Sequence, residues 1–248
     1  KGVKGTMNKD HYLEHFIKGI IRARYNLNVN KDGTIRYDMT QLVITHFKPK
    51  EIGTSVEKLK ALGYAKDIHG APLENEEQVL EILPQDLILP GANESPDAPC
   101  DIALYNISRF IDELLGKFYN HEPYYKLNSK EELVGHLVLA LAPHTSAGII
   151  GRIIGFSNTQ GFYAHPMFHA ATRRDADGDE ACVMLLLDAL INFSRRFLPQ
   201  SRGATQDAPL VLTTILNPYH GFYIKAYDLI FRSNLILPVF LKITNPPK

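Results

Sequence analysis

The stretch that most limits the fold is "LVGHLVLALAPHTSAGIIGRIIGF", Leu133 to Phe156. It is almost wholly apolar, yet Pro143 breaks it, because proline lacks the N–H and the ring clearance that a helix interior needs. Gly148, Gly151 and Gly155 then recur. Glycine lets backbones approach closely and takes dihedrals that other residues avoid. Such a segment predicts short strands and turns that cross tightly, and not one helix.

Other segments carry simpler signals. Leu13, Phe16, Ile17, Ile20 and Ile21 share a helical face between His11 and Tyr25. In "VNKDGTIRYDMTQLVITHF" the turn pair Asp32-Gly33 lies between β-branched and aromatic residues, which predicts a hairpin. "SVEKLKALGY" predicts a short helix with Gly63 as its C-terminal cap. Pro84 and Pro90 leave only turns and short strands in "HGAPLENEEQVLEILPQDLILPG". "GANESPDAPC", Gly91 to Cys100, has the composition of a linker. Ile107, Ile111, Leu114, Leu115 and Phe118 then repeat at helical spacing, with Asp101 as the expected N-cap. A buried helix is expected from Glu180 to Leu198, and "LVLTTIL" predicts a buried strand.

The chain has 248 residues, enough for one large domain or two small ones. Its 27 basic and 27 acidic residues cancel, so any argument for nucleic-acid binding must rest on local clusters. Cys100 and Cys182 are far apart and fit neither a four-cysteine zinc site nor a secreted disulfide framework. "KGVKGTMNKDHY" lacks the apolar core of a signal peptide, and no apolar run reaches 18 residues. The expectation is a reducing, cytoplasmic setting and no membrane.

The densest chemistry lies in "HAATRRDADGDEACVMLLLDALINFSRRFL". Asp175, Asp177 and Asp179 stand at i, i+2 and i+4, which on an extended chain turns all three to one side. Three carboxylates so placed repel unless water or a cation intervenes. Hard oxygen ligands suit Mg²⁺ or Ca²⁺. An EF-hand is excluded, since its sixth position must be Gly and its twelfth Glu, where this chain has Glu180 and Leu186. The spacing alone leaves two readings open. One is a solvated acidic turn ahead of a helix. The other is a Mg²⁺ site of the kind that phosphoryl-transfer enzymes use, with Arg173 and Arg174 on the phosphate. His165 and His169 are four apart, but Pro166 lies between them and no Glu follows His165, so the zinc-hydrolase motif is incomplete. "GIIGRIIG" lacks the Gly-Lys-Ser/Thr of a P-loop.

Five blocks then carry a resemblance: "LAPHTSAGIIGRIIGF", "AHPMFHAATRRDADGDEACVMLLLDALINFS", "DAPLVLTTILNP", "GIIRARYNLNVNKDGTIRYDMTQLVITHFKPKEIG" and "LGYAKDIHGAPLENEEQVLEILPQDLILP". From about Lys18 to Pro218 the chain resembles the large, catalytic subunit of the archaeal D-family DNA polymerases. The resemblance implies an α+β fold, part of a double-psi β-barrel polymerase core of the two-barrel type with flanking helices. It divides the chain into a mixed α/β segment of the core (1–90), a linker and helix (91–130), a catalytic barrel segment with the acidic loop (131–218), and a divergent or artefactual tail (219–248).

The implied activity is Mg²⁺-dependent nucleotidyl transfer, adding dNTPs to a primer 3′ end at a two-metal site during DNA replication. Asp177 and Asp179 are the implied metal ligands. Asp175 stands where the family usually has Asn, and would supply a third carboxylate; Thr172 stands where it usually has Lys. Arg173, Arg174, Arg152, His144, His165 and His169 are the implied nucleotide- and DNA-facing residues. Implied partners are primer-template DNA, dNTPs, a small proofreading-nuclease subunit and the sliding clamp. A first barrel with basic catalytic residues, and cysteine-rich zinc modules, are expected outside this chain. The isolated fragment is therefore expected to be inactive, or to act only in assembly, and to expose strand edges as a partial barrel would.

Overall fold

Strands as apolar as Leu137–Leu141 have no polar face to offer water and need cover on both sides. The computed structural model describes residues 15–30, 32–91, 99–142, 147–173, 178–193 and 210–216, and in it the strands supply that cover by closing into a ring. The described strands are β1 (Tyr37–Val43), β2 (His46–Phe47), β3 (Leu80–Glu81), β4 (Asp86–Pro90), β5 (Leu137–Leu141), β6 (Ala147–Ser157), β7 (Gly161–Ala164), β8 (Glu180–Leu185) and β9 (Val211–Thr213). Around the ring run β4, β7, β1, β8, β5 and β6, and β6 pairs back to β4. The β1–β7 and β4–β6 contacts are parallel, and the other four are antiparallel. β9 adds in parallel to the start of β6, and β2 pairs only with β3. Each ring strand thus has a partner on both sides. The open edges expected of a partial barrel are thus confined, among the described strands, to β9, β2 and β3, each of which pairs on one side only.

Side chains alternate across the ring. Met39, Leu87, Val138, Ile153, Phe162 and Val183, one from each ring strand, share a single apolar cluster, which is the interior. Their chain neighbours Ile88, Ile154 and Tyr163 face a second cluster, roofed by residues 44–83. Leu139 and Met184 face a third, closed by Leu212 and by Leu186 and Ala189. Gly151 and Gly155 on β6 let these layers meet. A Cβ on Gly151 would lie 2.4 Å from Leu87 Cδ1, and one on Gly155 would lie 2.7 Å from the Ile52 carbonyl oxygen. Close approach is what they provide, because neither adopts a positive φ.

The described helices are α1 (Phe16–Arg24), α2 (Val56–Leu62), α3 (Cys100–Lys117), α4 (Pro166–Ala171) and α5 (Leu186–Asn192). α2 forms as its sequence predicts. Ser55 caps its start by accepting from the Lys58 N–H at 3.3 Å, and Gly63 ends it at φ +108°. α3 buries Leu104, Ile107, Ile111 and Leu114 against the interior cluster. Its N-cap is Pro99, however, and Asp101 lies within the first turn, where it pairs with Lys130. Cys100 and Cys182 are free and buried, and no described helix is long and apolar enough to cross a membrane.

Two predicted elements come out differently. Asp32-Gly33 does form a turn, with Gly33 at φ +90°, but no hairpin follows. Beyond the turn the backbone is already satisfied: Asp32 accepts from Thr34 N at 2.9 Å, and Ile35 N donates to Asp188 at 2.7 Å. β1 then pairs with β7 and β8, far along the chain. The helix expected from Glu180 to Leu198 begins only at Leu186, since Glu180–Leu185 is β8. Burial on both faces removes the alternation that marks a strand, so an apolar run alone does not separate the two conformations.

Candidate functional site

The acidic loop joins α4 to β8. α4 starts at His165-Pro166, an arrangement that suits a helix N-terminus: Pro166 needs no N–H partner, and His165 Nδ1 accepts from the Met167 N–H at 3.1 Å. It ends at Thr172, and Arg173 turns the chain at φ +59°. That conformation costs a non-glycine residue about 1–2 kcal/mol. On the far side Gly178 turns it again at φ +104°, where a Cβ would meet nothing within 4 Å. Asp175, Asp177, Arg174 and His144 lie outside the described residues.

Both described flanks of the loop are tied to β1 at Gln41 and Leu42. The Gln41 N–H donates to the Asp179 carbonyl at 2.8 Å. The fully buried Gln41 side chain places Nε2 3.2 Å from Thr172 Oγ1, and that hydroxyl donates to the His169 carbonyl at 2.6 Å. His169 Nε2 donates to the Leu42 carbonyl at 2.9 Å. A carbonyl only accepts, so Nε2 carries the ring proton, and Nδ1 is left buried without a partner. Burial lowers the His169 pKa, partly countered by the Leu42 bond, which keeps the ring neutral at physiological pH. Thr172 is buried and bonded on both sides.

The remaining expected site residues are placed apart. His165 lines a groove with Tyr64, Lys66, Asp67, Glu81 and Met167, and burial lowers its pKa against the pull of Glu81. Arg152, on β6, forks onto Asp86, with Nε and Nη2 each 2.8 Å from a carboxylate oxygen. Tyr64 Oη donates to the same carboxylate at 2.5 Å. This trio, with Tyr64 and Asp86 buried and Arg152 half-buried, anchors the start of β4. Gln41, Tyr64 and Asp86 carried no motif that sequence reasoning could use; only the pairing of β1 and β4 with later strands reveals them.

Next to Asp179, Glu180 opens β8 opposite Thr40, and Asp38 lies two residues further along β1. Partial burial, and then the Glu180 charge, raise the Asp38 pKa. Negative charge therefore accumulates beside the loop. No described group of three ligating side chains could itself hold a metal ion. Asp179 and the loop aspartates together offer only carboxylate oxygens, a donor set that fits a hard divalent cation.

Similarity to known proteins defines the class, a polymerase catalytic domain. A family model described as "DNA polymerase II large subunit DP2, catalytic domain" matches residues 1–231, and the chain belongs to that family. The DNA polymerase II large subunit of Archaeoglobus fulgidus is 57% identical over 218 residues, 88% of this chain and 18% of that protein. That of Nanoarchaeum equitans is 53% identical over 224 residues, 86% of this chain and 18% of that protein. The Pyrococcus furiosus subunit is 54% identical over 218 residues, 88% of this chain and 17% of that protein. The chain thus spans less than a fifth of the length of these relatives. The family match also extends past Lys18 and Pro218 at both ends.

Proposed function

We propose that the chain is the acidic-loop segment of a DNA-directed DNA polymerase core, and that the loop between α4 and β8 binds Mg²⁺ for dNTP addition to a primer 3′ end. The observation that carries this reading is the Asp-x-Asp-Gly-Asp loop within a member of a polymerase catalytic-domain family, its last aspartate fastened to a ring strand through its own carbonyl. The six-stranded ring with two parallel contacts is in keeping with a double-psi barrel.

Asp175, Asp177 and Asp179 would hold the metal. Divalent ions held there would supply Lewis-acid chemistry, favouring ionisation of the primer hydroxyl and offsetting charge on the leaving pyrophosphate. Arg173 and Arg174 sit beside the aspartates in sequence and would clamp nucleotide phosphates. His144 and His165 are proposed to line the path of nucleic acid. Neutral His169 braces α4 against β1 and gives up no proton, because its one N–H is committed to Leu42. The Arg152 fork is filled by Asp86, so its role is to hold β4 to β6. Primer-template DNA, a small nuclease subunit and the sliding clamp are the proposed partners.

Primer extension by the full large subunit carrying Asp179→Asn, reconstituted with its small subunit, tests this. Loss of at least about 100-fold in rate with DNA affinity unchanged is expected, since one ligand to the reacting centre is removed. Activity within a few-fold of wild type would reject the metal-site reading.

A further inference from the structure

The bond network around Gln41 carries a consequence beyond the metal ligands themselves. Thr172 Oγ1 spends its single proton on the His169 carbonyl at 2.6 Å, so towards Gln41 it can only accept. The amide must therefore present Nε2 to Thr172. Oε1 of Gln41 is then buried with no hydrogen-bond partner. A leucine of similar size would leave no such acceptor, so for stability alone the amide is a poor choice. What the amide achieves is local: one residue of β1 grips Thr172 before the acidic loop and, through its backbone N–H, Asp179 after it.

We infer that Gln41 is a positioning residue that sets the spacing of the two ends of the acidic loop, and hence the approach of its carboxylates to a shared divalent cation. The inference rests on the metal-site reading given above. It fits the strand chemistry. Gln41 and Leu42 pair with Phe162 and Tyr163 of β7 through the parallel register, so the grip is mounted on a strand fixed on both sides. It also fits the left-handed turn at Arg173, which follows Thr172 directly and depends on the helix end being held.

The test uses the full large subunit with its small subunit, and compares Gln41→Leu, Thr172→Val, the double variant and Asp179→Asn. Gln41→Leu keeps the backbone bond to Asp179 and removes only the side-chain grip. Expected is a fall of about tenfold or more in kcat, as for a displaced catalytic group, with primer-template KM unchanged and a higher Mg²⁺ concentration for half-maximal rate. The double variant should be no worse than Thr172→Val alone, which already breaks the shared bond and also the one to the His169 carbonyl. Amide exchange at Arg173 and Gly178 should quicken by about 2- to 10-fold, the worth of one hydrogen bond, while the melting temperature stays level or rises. Unchanged kcat and Mg²⁺ dependence in Gln41→Leu and Thr172→Val, alongside an inactive Asp179→Asn, overturn the inference and leave the metal site standing. A melting temperature that falls in step with activity overturns it too, because it marks a merely structural residue. An active Asp179→Asn rejects the metal-site reading instead, and the exchange rates still decide whether Gln41 holds the loop. Should Gln41→Leu fail to fold, Thr172→Val decides the same question from the other end of the bond.

Discussion

Replacing Arg152 by methionine removes the guanidinium from a carboxylate that has almost no access to water. The Asp86 side chain is 3% exposed and that of Arg152 is 27% exposed. In Arg152→Met, Asp86 keeps only the Tyr64 hydroxyl as a side-chain donor. Stripping one partner from a buried ion pair costs about 3–5 kcal/mol, and the partial exposure of Arg152 puts this case at the lower end, about 3 kcal/mol. For a chain of this size each kcal/mol is worth about 2–4 °C, so the melting temperature should fall by about 6–12 °C. The paired variant Asp86→Leu with Arg152→Met should lose less than Arg152→Met alone. It buries no unpaired charge and leaves only the Tyr64 hydroxyl proton without its acceptor, since that oxygen still accepts from the Leu83 N–H. Thermal melts followed by circular dichroism give the first number. Fluorescence anisotropy of a labelled primer-template, taken well below the transition, gives the second. A melting temperature within about 2 °C of wild type combined with lost DNA affinity would refute the structural role and return Arg152 to the nucleic-acid surface.

Other perturbations follow from the same packing and electrostatics. Gly155→Ala should destabilise more than Gly151→Ala, because its Cβ meets the Ile52 backbone oxygen at 2.7 Å, whereas Gly151 faces a leucine side-chain end that can turn. Overpacking of this kind costs about 1–3 kcal/mol, and urea melts showing the reverse order would reject the account. Burial pushes the Asp188 pKa from 3.8 up to about 6, so the folded protein retains a proton that the unfolded chain releases earlier. That contribution is complete below pH 3.8 and is lost as pH rises through about 6. Asp188→Asn should therefore flatten the slope of stability between pH 4 and pH 6.5 by about 3 kcal/mol in total, and an unaltered slope would rule out Asp188 as its source.

What could be read from the chain beforehand depended on how local its cause was. α2 and its glycine stop are set by neighbours within ten residues, and they form where the spacing places them. The apolar stripe of α3 was equally plain, although its capping residue was not, because Asp101 is drawn to Lys130. β8 was hidden because a strand between two buried faces looks like a buried helix. The false hairpin at Asp32-Gly33 has a related cause: a sound turn does not reveal that the outgoing strand is claimed by β7 and β8. Of the candidate site, Asp179 and its glycine were legible as a pattern, whereas Gln41 is one amide on an ordinary alternating strand. Its meaning depends on Thr172, 131 positions later, and no local window spans that distance.

The ring also imposes a timetable on synthesis. β1 is sealed on one side by β7 in the register Thr40 to Gly161, and on the other by β8. At about 5–20 residues per second, a ribosome needs roughly 6 to 25 s after making Thr40 before the first of those partners exists. Throughout that interval a strand with one apolar face waits with both hydrogen-bonding edges bare, which is the condition that favours wrong pairing and aggregation. Asp38 and Thr40, polar and outward-facing on β1, keep the waiting strand from being apolar on both faces.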